Sequence, residues 1–213
     1  MKKVFIYSDQ AEVGKNTLIY NLALKISSKS NNTVIISQSP SIESQEKINK
    51  NLSVYYVNAD KNIKREKDLI AKKKLFLKNV NYVSKKKAYC FIESSLVDVN
   101  YNQLILSIST DVILIYNANH FNSDQVLKDL SFIKNSSGEA HPKLSCIILN
   151  GYDKNNSIHL SNLLTLRKTF KTLVYVIPYN NQLNKNLKTS RIFLEKNPWS
   201  DFAIILDEII KTI

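Results

Sequence analysis

Two stretches, Val112-Ile113-Leu114-Ile115 and Cys146-Ile147-Ile148-Leu149, are apolar at every position rather than at alternate ones. A strand with one face in water alternates; a strand that is apolar on both faces is covered on both, as parallel strands are when helices pack above and below them. Similar runs recur along the chain, and Lys3–Tyr7, Thr33–Ile36, Leu52–Val57, Ala88–Ile92, Asp111–Tyr116, Leu144–Leu149 and Leu173–Ile177 all read as strands. Longer segments with helical spacing lie between them. These are Lys15–Ser28, with Leu18, Leu22, Leu24 and Ile26 inward; a lysine-rich stretch with Ile63, Leu69, Ile70, Leu75, Phe76 and Leu77; and 101–108, 121–135 and 158–170, before a last helix from Pro198 onward. This order predicts an α/β protein, a doubly wound, mostly parallel sheet flanked by helices on both faces. The 213 residues, 44% of them hydrophobic, suffice for one sizeable core. With no internal repeat or low-complexity linker, and only a turn at Asn135-Ser136-Ser137-Gly138-Glu139, the expectation is a single domain over 1–213.

In such a fold, ligands bind beyond the carboxyl ends of the strands. The loop after the first strand reads Ser8-Asp9-Gln10-Ala11-Glu12-Val13-Gly14-Lys15-Asn16-Thr17. A phosphate-binding loop needs glycines that let backbone amides approach the phosphates, a lysine for the β/γ oxygens and a Ser/Thr hydroxyl for Mg²⁺. Gly14 and Lys15 stand at the mouth of a predicted helix, Asp9 replaces the first glycine of the pattern, and Asn16 occupies the hydroxyl position. The candidate nucleotide contacts are therefore Val13, Gly14, Lys15, Asn16 and Thr17, with Asn16 also the candidate metal ligand.

The stretch from Asp9 through Leu24, including Asn21-Leu22-Ala23, resembles the deviant Walker A loop and first helix of the ParA/MinD family of P-loop ATPases. Thr33-Val34-Ile35-Ile36-Ser37-Gln38-Ser39-Pro40 resembles that family's second strand, Tyr89-Cys90-Phe91-Ile92-Glu93 its Walker B strand, and Ile147-Ile148-Leu149-Asn150 the strand ending in a base-contacting Asn. Val176-Ile177-Pro178 and the later Ser190-Arg191-Ile192-Phe193-Leu194 to Asn197-Pro198-Trp199-Ser200 follow its closing motifs. The resemblance implies ATP and Mg²⁺ as cofactors, Asn150 and Pro178 as base contacts, and Glu93 as the Walker B-like acid.

Departures from the family pattern argue against turnover. Gln10 stands where the family has a lysine that crosses to the partner's nucleotide, Ala11 and Glu12 replace two flexible glycines, and Ser37 and Ser39 replace two carboxylates, one of which positions the attacking water. Acids close to phosphates cost roughly 1–4 kcal/mol per close pair. Serines orient a water less well than a carboxylate does, and Asn16 offers Mg²⁺ only a neutral oxygen on a longer arm. The chain holds just Gly14, Gly138 and Gly151, against a typical glycine content of about 7%, so the loop cannot be a multi-glycine cradle. ATP binding with weak or absent hydrolysis is the expectation, a pseudo-ATPase.

Net charge is +12. Much of it lies between Lys61 and Lys87, where Lys72, Lys73, Lys74, Lys85, Lys86 and Lys87 form a candidate patch for DNA or an anionic surface, or else a solvated helical face. Cys90 and Cys146 stand alone in apolar runs, which suggests reduced thiols in a cytoplasmic setting. No segment reaches the roughly 20 apolar residues that span a bilayer, and the start of the chain does not read as an export signal. His120, His141 and His159 lack metal-ligand spacing and read as surface or loop residues. The final helix, with Phe202, Ile205, Leu206, Ile209 and Ile213 on one face and several acids, reads as a core helix rather than a lipid anchor.

The leading reading is a spatial organiser or regulatory binding module for partition, cell division or flagellar/secretion-site positioning, with a protein partner. A homodimer is compatible with it, though Gln10 removes the cross-dimer lysine. The alternatives are a functional ATPase, a nonspecific DNA-binding partition protein, for which Tyr179 stands where relatives often carry Arg, and an ATP-dependent synthetase. For the last, Glu12-Val13-Gly14-Lys15 resembles the loop of dethiobiotin synthetase, but Ser37-Gln38-Ser39-Pro40 and Glu93-Ser94-Ser95-Leu96 lack its substrate elements.

Overall fold

The computed structural model describes residues 1–39, 44–58, 66–94, 99–136, 141–180 and 194–213. In chain order the elements are β1 (Lys2–Tyr7), α1 (Lys15–Ser28), β2 (Thr33–Ser39), β3 (Ser44–Lys47), β4 (Leu52–Asn58), α2 (Glu66–Ser84), β5 (Tyr89–Glu93) and α3 (Val99–Leu106). There follow β6 (Asp111–Asn117), a 3-10 turn at Ala118–His120, α4 (Ser123–Ser136), β7 (Lys143–Tyr152), α5 (Ser157–Thr169), β8 (Val174–Pro178) and α6 (Asp201–Thr212).

The strands form one eight-stranded sheet in the order β3-β4-β2-β5-β1-β6-β7-β8. Every pairing is parallel except β3 with β4. The fold class is therefore α/β with a mostly parallel sheet, as the apolar runs predict. Sequence periodicity misses β3: Ser44-Gln45-Glu46-Lys47 has no apolar residue, and it is a strand only because its backbone pairs antiparallel with Ser53–Tyr56. A charged, short edge strand of this kind also discourages further pairing at that edge.

The doubly apolar runs are buried on both faces. Val112, Ile113, Leu114, Ile115 and Tyr116 of β6 have no exposed surface. Alternate residues of each strand feed two cores: Val4, Ile6, Ile113, Ile115 and Ile148 pack with α1 and α6, while Phe5, Val112, Leu114, Ile147 and Leu149 pack with α2 through α5. Phe202, Leu206, Ile209 and Ile213 are buried, so α6 is a core helix. Lys25 of α1 and Lys29, which caps its end, reach Asp207 of α6 at 2.8 and 2.9 Å, and Lys25 also donates to the Ala203 carbonyl.

Because the central strands all run one way and the helices return, strand starts and helix ends share one end of the molecule. The opposite end carries the loops after the strands. Lys74, Lys85 and Lys86 are exposed and Lys87 half-buried, the last three at the strand-start end before β5. Lys61, Lys64, Arg65, Pro40, Leu96, Gly138 and the motif from Ser190 to Phe193 lie outside the described residues, as do the side chains of Ser39, Lys67, Lys72 and Lys73.

Candidate functional site

β1 lies between β5 and β6 and delivers its chain at Ser8, which is fully buried, into the loop that starts α1. The loop turns on two left-handed residues, Glu12 at φ 54° and Gly14 at φ 91°. Gly14 is the N-cap of α1, without a side-chain cap, and the first turn holds no acid. The first amides of the helix are thus unspent on capping side chains, and an uncapped N-terminus with its partial positive charge suits an anion. The left-handed φ favours glycine here, and a Cβ would in addition fall 2.5 Å from Asn150 Nδ2 and push that amide aside.

Three side chains tie the loop down. The Asn150 amide donates to the Val13 carbonyl at 2.9 Å. Lys15, 8% exposed, donates to the carbonyls of Gln10 at 2.7 Å and Ser8 at 3.2 Å. Gln10 in turn donates from Nε2 to the His120 carbonyl at 3.3 Å, while its backbone amide donates to Ser8 Oγ. Burial lowers the Lys15 pKa, against the opposing pull of Glu93, Asp9 and Asp129. Asp9 and Glu12 are exposed, Asn16 is exposed and Thr17 is half-buried.

Beside the loop, Ser37 at the end of β2 donates to Glu93 Oε2 at 2.6 Å, joining two positions that stand far apart in the sequence. Tyr20 of α1 feels Glu93, Tyr56 and Glu46, and burial together with these neighbours pushes its phenol up to about 12. Pro178 is exposed at the end of β8 and pairs in register with Tyr152, next to Gly151 and Asn150. The structure thus brings Asn150 onto Val13 and Gly14, turns Lys15 back onto the carbonyls of the same loop, and sets Glu93 on β5, the strand beside β1. It leaves the Lys85–Lys87 turn at the other end of the sheet.

Other polar features had no sequence signal strong enough to find them. Asp129 of α4 is 2% exposed and accepts from Tyr116 OH at 2.7 Å and Gln125 Nε2 at 3.0 Å. Burial raises its carboxyl to about 6, helped by Asp9 and opposed by Tyr116, Gln125 and Lys15. The inward spacing from Val126 to Asp129 to Ile133 was the available clue. His159 corrects the expectation of a surface or loop histidine: it is 3% exposed within α5. Its Nδ1 accepts from the Asp153 amide at 3.0 Å, which puts the proton on Nε2, 3.0 Å from Asn119 Oδ1. It links the turn after β6 to the turn after β7, at the end of the sheet that carries the Gly14-Lys15 loop. His120 and His141 are exposed, as expected. Among the described residues no group of His, Cys, Asp and Glu could hold a metal, and no helix is long and apolar enough to cross a membrane.

No protein-family model matches the sequence. No curated protein matches it either. Solved structures do. McdA from Cyanothece, with 13% identity, superposes at a TM-score of 0.80 over 100% of this chain and 99% of its own, and a point variant of it is known as an ATP complex. A plasmid partition protein from Borrelia burgdorferi B31 bound to AMPPNP has 17% identity and a TM-score of 0.73, covering 99% of this chain and 97% of its own. Cobyrinic acid a,c-diamide synthase from Mycobacterium smegmatis, with an ATP analogue and magnesium, has 13% identity and a TM-score of 0.65 over 94% and 96%. The resemblance seen in the motifs therefore extends to the whole architecture, and the chain has the fold of the ParA/MinD-type P-loop ATPases.

Proposed function

We propose that this chain is a ParA/MinD-like regulatory or positioning module that binds ATP at the Gly14-Lys15 loop and turns it over slowly or not at all. The observation that carries the reading is the loop itself: an uncapped helix N-terminus behind a left-handed glycine, with Lys15 at its mouth. ATP would bring a γ-phosphate whose presence a partner can read. Lys15 and the first amides of α1 would hold the phosphates, Pro178 would lie against the base, and Asn16 and Thr17 are the residues available to Mg²⁺. Lys15, and Asn150 which the family resemblance would place against the base, have other partners first. Lys15 must leave the carbonyls of Gln10 and Ser8, and Asn150 is committed to Val13, so its role here is to brace the loop.

Weak turnover follows from what surrounds the loop. Ser37 stands where a water-orienting carboxylate would, and its hydroxyl donates to Glu93 Oε2, so the end of β2 offers no acid for positioning a nucleophile. Gln10 is tethered to His120 within its own subunit. The module would then act by what it binds, a protein partner first of all, either alone or as a dimer that does not depend on a cross-subunit lysine.

The test is thermal unfolding with and without millimolar Mg-ATP, with Lys15→Ala as control. A ligand at 100 times its Kd stabilises by about 2.7 kcal/mol, which for a chain of this size raises the midpoint by roughly 5–10 °C. The expected result is a shift in the wild type that is lost in Lys15→Ala, with phosphate release no faster than in that variant. No shift in either protein would remove nucleotide from the function; Lys15-dependent phosphate release would make the chain a working ATPase.

A further inference from the structure

At the end of the sheet opposite the Gly14-Lys15 loop, a cavity of about 480 Å³ opens between the starts of β7 and β8 and the last turn of α6. Three lysines line it: Lys143 from β7, Lys171 from the turn before β8 and Lys211 from α6. Glu208 is the only acid in its lining, so the cavity has a formal charge of about +2, three cations against one anion. Leu173 and Tyr175 supply apolar wall beside the charged groups.

The local reason for two of the lysines is visible. Lys143 donates to the Thr212 carbonyl at 2.6 Å, at the negative end of α6, and Lys211 pairs with Glu208 at 2.5 Å. Lys171 has no such explanation: it is exposed and makes no hydrogen bond or ion pair among the described residues. The one acid of the lining, Glu208, is paired with Lys211, so Lys171 adds a cation without an ion-pair partner to the same wall. The cavity also sits within a larger cationic end, since Lys2, Lys85 and Lys86 are exposed at other strand starts, and a concave site inside a field of one sign concentrates counter-ions. The carboxylate behind the cavity, Asp111, is 1% exposed and already engaged by Ser145, Thr110 and Lys2.

We propose that this cavity is a second anion site, separate from the nucleotide loop, for a small molecule carrying two or more phosphate groups. Lys171 is its uncommitted cation, and Lys143 and Lys211 turn toward the ligand from contacts that hold them at the rim. The volume admits a diphosphate with a small organic substituent against Leu173 and Tyr175.

Pyrophosphate is the probe, titrated into the full chain carrying Lys15→Ala and followed by amide chemical shifts, so that the Gly14-Lys15 loop does not contribute. Saturable shifts at Lys171, Leu173, Tyr175 and Lys211 are expected. Lys171→Ala should weaken the apparent affinity at least fivefold, whereas Lys86→Ala, three strands along the sheet from β7, should change it less than twofold. Both positions are exposed, so neither variant threatens the fold. Shifts reproduced by sodium chloride at matched ionic strength, shifts that do not saturate, or equal losses from Lys171→Ala and Lys86→Ala would overturn the proposal in favour of a diffuse cationic surface.

Discussion

Glu12 holds a left-handed backbone at φ 54°, a conformation that costs a residue with a Cβ about 1–2 kcal/mol. The loop keeps the shape that glycines make easy without having the glycine. Glu12→Gly should therefore raise stability to urea by roughly 0.5–1 kcal/mol, after the entropy lost by glycine is deducted, and should tighten Mg-ATP binding by removing an acid near the phosphates. Gly14→Ala should do the reverse, costing about 1–2 kcal/mol from its φ of 91° alone. Adding Asn150→Ala should recover only the part due to the 2.5 Å approach of Asn150 Nδ2, and a double-mutant cycle on urea midpoints separates the two. Asp129 makes stability depend on pH. Its carboxyl is raised from 3.8 to about 6, so the folded state holds the proton more tightly than the unfolded chain. Its cost is absent below pH 4, grows as pH rises through 6, and reaches up to about 3 kcal/mol. Asp129→Asn should shrink the stability difference between pH 4 and pH 7, measured by chemical unfolding at each pH. Of these residues, Gly14 and Lys15 were legible in the sequence because a phosphate loop is a contiguous string. The Gln10–His120 and Tyr116–Asp129 contacts were not, because the chain only brings them together by folding.

At the scale of elements, seams matter more than propensities. α1 is buried on most of its circumference, between the sheet and α6, and its charged end is fastened by Lys25 and Lys29 to Asp207. Burial would raise the Asp207 carboxyl, but the hydrogen bonds from the two lysines outweigh it and leave the pKa below its usual value. Asp207→Asn should cost about 0.5–1 kcal/mol, the scale of a partly exposed ion pair, and the loss should shrink in 1 M salt; urea unfolding at both salt levels checks it. The doubly apolar strands were readable because burial on both faces leaves a mark in composition. β3 left none: its strand character is lent by β4, and no local preference of Ser44-Gln45-Glu46-Lys47 encodes it. His159 escapes a sequence reading for a related reason. Its inward direction on α5 shows in the helix register beside Leu163 and Leu166, not in any ligand spacing.

For the whole molecule, one direction organises everything. Parallel strands place the Gly14-Lys15 loop at one end and the exposed Lys2, Lys85, Lys86, Lys143, Lys171 and Lys211 at the other. On a heparin column, Lys86→Glu should lower the eluting salt concentration, while Lys154→Glu, in the exposed turn after β7 at the loop end, should lower it less. Equal effects would mean that charge is read without regard to place. Among the described residues this arrangement gives the sheet two unlike ends, so a polyanion held by the exposed lysines at the strand starts would leave the Gly14-Lys15 loop on the far side, facing away from it.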